Sequence, residues 1–305
     1  MKSNGVIVVD KPEGPTSHDI VISVRRALRL KKVGHLGTLD PLATGVLPLV
    51  VGRATRLASF FAEAVKQYEA VIQLGVTTDT ADITGTVTGG LAETVKDDLP
   101  SKLPTPETIT KVASSFVGSY LQRPPEISAK KIGGIRAYKL ARSHQPVQLN
   151  SVQVTLENLI VLSCEPPRFR CRLVCSSGFY VRAFARDLGL SLGCGGCLET
   201  LRRERHGDFG IADTVQLSQV VENGLTLGEK FIPIDSLLPK LPVVVVSGHE
   251  LSRVINGNVI ELERRPAGDN PTMARKTRIV NQQGNLLAIG EHMVNGALHP
   301  KIVLV

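Results

Sequence analysis

Gly34-His35-Leu36-Gly37-Thr38-Leu39-Asp40-Pro41-Leu42-Ala43-Thr44-Gly45 is a run of small and turn-forming residues around one carboxylate. Gly34, Gly37 and Gly45 let the backbone bend tightly and let a ligand approach closely. An aspartate before proline in such a run is either a turn former or a lone nucleophile or base. His35, Thr38 and Thr44 surround Asp40, with no other acid and no cysteine. Backbone geometry, rather than a metal, would then hold the carboxylate. A short buried strand at Val6–Val9 precedes the loop, and Val46–Val51 rises out of it as a second strand.

Working outward, Thr16-Ser17-His18-Asp19 offers a Thr-x-x-Asp capping box before a helical run ending near Leu30. Arg53–Val65 reads as helical. Tyr68–Leu74 and Ile83–Thr88 read as strands, and Glu107–Val117 as a helix with Ile109, Val112 and Phe116 on one face. Val147–Leu162 and Phe169–Cys175 alternate like strands. Tyr180–Leu192 is helical, opened by Ser176-Ser177-Gly178. After a linker at Pro239–Pro242 come short strands at Val243–Val246, Thr277–Val280, Leu286–Ile289 and Ile302–Val305. Asn281-Gln282-Gln283-Gly284 fits a hairpin turn between two of them. The class is α+β, with a large domain in residues 1–240 and a small β-rich one in 241–305.

The chain has 305 residues, enough for about two domains. No stretch approaches the ~20 apolar residues of a membrane helix. The four apolar residues Val6–Val9 are too few for a signal-peptide core. A cytoplasmic location with no membrane partner is the expectation. The net charge of +8 favours a polyanion such as nucleic acid, or simply solubility. With no Trp and 4% aromatic residues, sequence-neutral stacking along an extended single strand is disfavoured. The five cysteines are an odd number without a secretory signal, which argues against a disulfide framework. Cys194-Gly195-Gly196-Cys197 has metal-knuckle spacing. Its possible partners Cys171 and Cys175 are wrongly spaced and lie in a strand-like run, so core or loop thiols are expected and no metal.

Four further places could carry chemistry. Arg182 falls in the first turn after Gly178 and could hold an aspartate ionised and fixed in direction through a bidentate contact, or lie on an ordinary helix surface. Tyr180 accompanies it, as a pocket residue or half in the core. Tyr68 is a base-stacking platform or a core aromatic. Leu201-Arg202-Arg203-Glu204-Arg205-His206 is a phosphate-binding edge or a solvated, partly self-neutralised face. Lys11 could reach phosphate, or Lys11-Pro12 could simply end the first strand.

Together these residues resemble a known family. The likeness is carried by Asp10-Lys11-Pro12, Gly14, Thr16-Ser17-His18-Asp19 and the whole of Lys32–Pro48. Tyr68, Leu74-Gly75, Thr78-Asp79-Thr80 and Asp82 continue it. So do Ser128-Ala129, Lys131, Gly134, Ala137-Tyr138 and Ala141-Arg142, then Gly178, Tyr180, Arg182, Leu192–Gly195 and Leu201-Arg202-Arg203. The chain resembles the bacterial tRNA pseudouridine synthases of the TruB family, which isomerise uridine 55 in the T-loop. The resemblance is strong over residues 5–206 and weak in the tail.

The resemblance implies the pseudouridine synthase fold, a large mixed and mainly antiparallel sheet flanked by helices, with a PUA-like C-terminal domain. It implies Asp40 as the catalytic aspartate, Arg182 as its partner and Tyr68 as the stacking tyrosine. Tyr180 and Leu201 would line the uridine pocket, and His35 would enter the space left by flipped nucleotides. Lys11, Arg202 and Arg203 are expected at the RNA backbone. Residues 122–146 match an RNA-gripping insertion, in which Ile127 stands where the family often has Tyr. The implied partner is tRNA, at its T-arm and acceptor side, met by a monomer without guide RNA. The isomerisation has no net redox change and loses no group, so no cofactor is expected. Rival readings are a guide-RNA-dependent synthase and a non-catalytic RNA-binding or tRNA-folding protein.

Overall fold

The computed structural model describes residues 4–94, 102–125, 131–132, 135–136, 149–224, 227–261 and 276–305. Its main feature is an eleven-stranded mixed sheet. The central path runs Thr214–Gln216, Gly5–Lys11, Thr44–Val51, Gly196–His206, Lys66–Leu74, Arg168–Cys175, Val152–Glu165 and Gly118–Gln122. Most pairs are antiparallel. The strand Gly5–Lys11 pairs parallel with Thr214–Gln216, and Thr44–Val51 pairs parallel with Gly196–His206.

The apolar run Val6–Val9 is continuous because its strand is covered on both faces. Ile7 and Val9 join the larger core, beneath helices Ser17–Ala27 and Val181–Ser191, while Val6 and Val8 join a second core on the other side. Lys66–Leu74 alternates because only one of its faces is dry: Tyr68, Ala70, Ile72 and Leu74 are buried. The Thr16 hydroxyl accepts from the Asp19 amide, and the Asp19 carboxylate accepts from the Thr16 amide, so the expected capping box opens the helix Ser17–Ala27.

A four-stranded sheet follows, ordered Val243–Val246, Lys276–Asn281, Leu286–His292 and Leu298–Val303. Gly284 N–H donates to the Asn281 carbonyl at 2.9 Å, closing the expected hairpin turn. This sheet does not hang free. Val280, Leu286, Ile289 and Leu304 pack in one cluster with Val6, Val8, Val46 and Leu57.

The helix expected at Arg53–Val65 forms as the 3₁₀ helix Gly52–Phe61. Two expectations need correction. Of the expected strand Ile83–Thr88, only a short piece at Val87–Gly89 forms, against Thr77–Thr78. The basic run around Arg203 is no edge beside a helix: Gly196–His206 lies inside the main sheet between Thr44–Val51 and Lys66–Leu74. Most of the expected insertion at 122–146, including Ile127, lies outside the described residues.

Candidate active site

Asp40 sits in a loop whose backbone is tied down almost residue by residue. Lys11 is fully buried, and its ammonium donates to the carbonyls of Pro12, Pro41 and Ala43 at 2.9, 3.1 and 2.7 Å. Arg203, 1% exposed, donates from Nε to Val46 at 2.7 Å, from Nη2 to Gly37 at 3.0 Å and from Nη1 to Thr38 at 3.4 Å. Ser17 brackets Leu39, donating to its carbonyl at 2.9 Å and accepting from its amide at 2.8 Å. Two buried cations thus hold the carbonyls of this turn in place.

These contacts correct the expectation for Lys11 and Arg203. Each was expected at the RNA backbone, but each spends its charge on loop carbonyls inside the protein. A buried cation needs such acceptors, because an unpaired one would cost several kcal/mol. Burial lowers the Lys11 ammonium to about 8, an effect opposed by the charges of Asp40 and Glu13. Arg202 points to the other face of the strand and is paired with Asp10, at 2.9 Å from Nη2 to Oδ2. Around it Arg168–Glu199, Arg170–Glu69 and Arg172–Glu204 form a self-neutralised ladder across the sheet. Arg202 as found is engaged by a carboxylate, with its side chain 41% exposed.

Two glycines are required here. Gly45 has φ +99°, and a Cβ there would lie 2.2 Å from the Arg203 carbonyl. Gly37 has φ +149°, and a Cβ would meet the His206 ring at 2.9 Å. His206 is fully buried, and burial, with Arg203 and Lys66 nearby, lowers it to about 3, opposed only by the Phe61 backbone beside the ring.

Arg182 approaches Asp40 from the first turn of the helix Val181–Ser191, with Nε 2.8 Å from Oδ2. The arginine is 5% exposed and the aspartate side chain 35%, so the pair has one end in the core and the other open. Arg182 Nη1 donates to the Thr80 carbonyl at 2.9 Å and lies 3.6 Å from Asp82 Oδ2. Asp82, itself buried, is held by the Thr84 amide and by the hydroxyls of Thr80 and Thr84. Arg182 therefore spans two carboxylates. The run Thr78–Asp82 was part of the resemblance, but nothing in its sequence indicated that Asp82 would face Arg182.

The pair forms one wall of a cavity of about 240 Å³. Tyr68, Tyr180, Leu201, Lys66 and Phe179 line the rest of it. Tyr68 stands opposite Arg203 in the sheet register; burial raises its phenol, opposed by the nearby Arg203 charge, so it keeps its proton. The volume lies below the roughly 300–1,000 Å³ of sites for drug-sized ligands, which suits a single flat base. His35 ends the short strand Val33–His35, half-buried, with its Nδ1 3.4 Å from the Gly37 amide, and does not line the cavity. The structure thus gathers Asp40, Arg182, Tyr68, Tyr180 and Leu201 at one place. It leaves His35 at a distance along the loop, and puts Lys11 behind it. Among the described residues no group of three or more His, Cys, Asp or Glu side chains could hold a metal ion. Cys171, Cys175, Cys194 and Cys197 are buried free thiols.

The mixed sheet thus gathers Asp40, its partner Arg182 and Tyr68 around one cavity, and the matches of the chain place it among the pseudouridine synthases. Residues 25–181 match the N-terminal domain of the TruB family of pseudouridylate synthases, and residues 182–238 match a tRNA pseudouridylate synthase B C-terminal domain. The chain belongs to the TruB family. It is 41% identical over 303 residues to the tRNA pseudouridine synthase B of Solibacter usitatus, covering 99% of this chain and 100% of that one. Identity to its namesake in Aquifex aeolicus is 34%, over 99% of this chain and 100% of the other. These likenesses extend through the tail, beyond residue 238. Among solved structures, a Cbf5-Nop10-Gar1 complex contains a chain 25% identical, with a TM-score of 0.69 over 99% of this chain and 85% of that one. An H/ACA RNP bound to a substrate RNA containing 2'-deoxyuridine gives the same TM-score at 24% identity, over 100% and 86%, and shows the shared fold.

Proposed function

We propose that the chain isomerises uridine 55 to pseudouridine in the T-loop of tRNA, alone and without guide RNA, on a uridine turned out of its stack. The observation that carries this is the 2.8 Å contact of Arg182 with Asp40 at the wall of a cavity floored by Tyr68. Conversion breaks N1–C1′, turns the uracil and joins C5 to C1′, while the C5 proton is lost and N1 gains one. A carboxylate beside the sugar serves either opening step: attack at C1′, as in retaining glycosidases, or removal of the C2′ proton to give a glycal. Arg182 fixes the direction of the carboxylate. Tyr68 offers its ring to the base. Leu201, Phe179 and Leu39 keep water from the detached uracil.

Extruding the uridine costs a few kcal/mol, which contacts elsewhere on the RNA offset. His35, near the loop's start, is assigned to the space the nucleotides leave. Residues 1–240 are assigned as the catalytic domain and 241–305 as a PUA-like unit on the acceptor side. The protein acts as a cytoplasmic monomer. No helix among the described residues is long and apolar enough to cross a membrane. The guide-dependent alternative draws on the likeness to the H/ACA RNP chain, but the relatives at 34–41% identity carry the tRNA enzyme's name.

Release of tritium from tRNA transcript labelled at uridine C5, with the purified chain as the only macromolecule added, tests this reading. Stoichiometric release is expected. Release only when another RNA is supplied would favour the guide-dependent alternative, and none under any condition would leave an RNA-binding protein.

A further inference from the structure

Gln122 ends the strand Gly118–Gln122 and is fully buried against the start of the helix that carries Arg182. Its carboxamide engages both backbone groups of Tyr180. The Tyr180 N–H donates to Oε1 at 2.9 Å, and Nε2 donates to the Tyr180 carbonyl at 3.1 Å. Nε2 also donates to the Tyr120 hydroxyl at 3.1 Å. Tyr180 is the residue from which the helix starts, in an extended conformation and without a side-chain cap of its own. Its carbonyl also accepts the first intrahelical bond, from Phe184 N–H at 3.1 Å. Only a side chain with an acceptor and a donor in one plane can satisfy both groups at once. Buried, the Tyr180 N–H would cost about 1–3 kcal/mol unpaired, while its carbonyl would keep the Phe184 bond.

We propose that Gln122 is a positioning residue for the pocket: by holding both backbone groups of Tyr180 it sets the Tyr180 ring against the base and, two residues on, Arg182 against Asp40. This rests on the pseudouridine synthase reading above. Gln122 does not line the cavity, so its effect on chemistry passes through placement. A displacement of the order of 1 Å at a reacting group can cost about 100-fold in rate.

Gln122→Glu separates placement from bulk stability. The carboxylate keeps the acceptor for Tyr180 N–H but turns an oxygen toward the Tyr180 carbonyl; its protonated form restores a donor there. The titratable group that touches Gln122 is Tyr120, from the same strand, and Tyr120 in turn feels Asp187 and Arg186 from the helix and Cys175 from the strand Arg168–Cys175. Gln122→Leu carries these same groups without a carboxyl at 122, so its pH profile separates their effect, Asp187 above all, from that of the new carboxyl. The ratio of variant to wild type is taken from single-turnover pseudouridine formation at saturating tRNA between about pH 8 and pH 5.5, with melting temperature and tRNA affinity alongside.

The expected ratio is about 1:100 at pH 8, recovering severalfold or more as the pH falls, at near-constant affinity. Gln122→Leu should be slow at every pH. A ratio near one at pH 8, or a deficit that ignores pH, overturns the proposal. So does a folded Gln122→Leu protein with wild-type rate. A wild-type protein that makes no pseudouridine overturns the functional reading itself, and this role with it.

Discussion

Arg182 and Asp40 meet at 2.8 Å although one is buried and the other faces open cavity. The arginine is held from behind by the Thr80 carbonyl and faces Asp82, so it cannot follow the carboxylate outward. Charge alone is not enough at this position, because lysine lacks the fork that reaches both sides. Arg182→Lys and Arg182→Ala should each slow single-turnover pseudouridine formation by about 100-fold or more, with tRNA affinity little changed. A loss confined to affinity would contradict the pairing role.

Lys11 and Arg203 are bound to carbonyls of the Asp40 loop, so neither should contribute to the salt dependence of tRNA binding. A true phosphate contact adds about 0.7–0.9 to the slope of log affinity against log salt. Lys11→Met should leave that slope unchanged while slowing turnover at saturation. Arg203→Met, which strands the carbonyls of Gly37, Thr38 and Val46, should lower unfolding free energy by about 3 kcal/mol. A slope reduced by one in either variant would restore the phosphate reading.

Much of this was legible in the sequence, and its failures have a common cause. The alternation of Lys66–Leu74 and the Thr16–Asp19 box could be read because one face is dry and the cap is local. The strand Gly196–His206 could not. Irregular register at Leu198/Thr200 and Arg203/Arg205 breaks its two-residue period, and two of its buried side chains are Arg203 and His206. Charged residues suggest solvent, but here their partners are carbonyls more than 150 residues away in sequence. Lys11 too is buried against carbonyls, though its partners Pro12, Pro41 and Ala43 lie within about 32 residues of it. Asp40 stands out by its loop and Arg182 by its place after Gly178, but only family likeness joins the two, because no pattern along the chain links residues so far apart.

His206 refuses a proton in the fold that it would take when unfolded, since its value falls from the ordinary 6.5 to about 3. Its contribution to stability is therefore complete above pH 6.5 and is lost as the pH falls toward about 3. The slope approaches 1.4 kcal/mol per pH unit, one proton's worth. Urea unfolding between pH 7 and pH 4 should show His206→Leu losing less stability than wild type across that window. Parallel curves would mean that the ring is protonated in the folded protein.

The tail shares a core with the main sheet through Val280, Leu286, Ile289 and Leu304. Arg53 ties the two as well, donating to the Leu304 carbonyl at 3.0 Å. Removing residues 241–305 should thus cost about 3 kcal/mol or more of stability, besides weakening tRNA binding more than saturated turnover. An unchanged urea midpoint for the shortened chain would show that the shared core carries little.

The central claim is that the Asp40 carboxylate performs the isomerisation. Its most direct test is pseudouridine mapping on an unmodified tRNA transcript treated with wild-type protein or with Asp40→Asn. Wild type should place one pseudouridine, at position 55, and Asp40→Asn none, though it binds the transcript as tightly. A mark at 55 of equal strength from Asp40→Asn would contradict it.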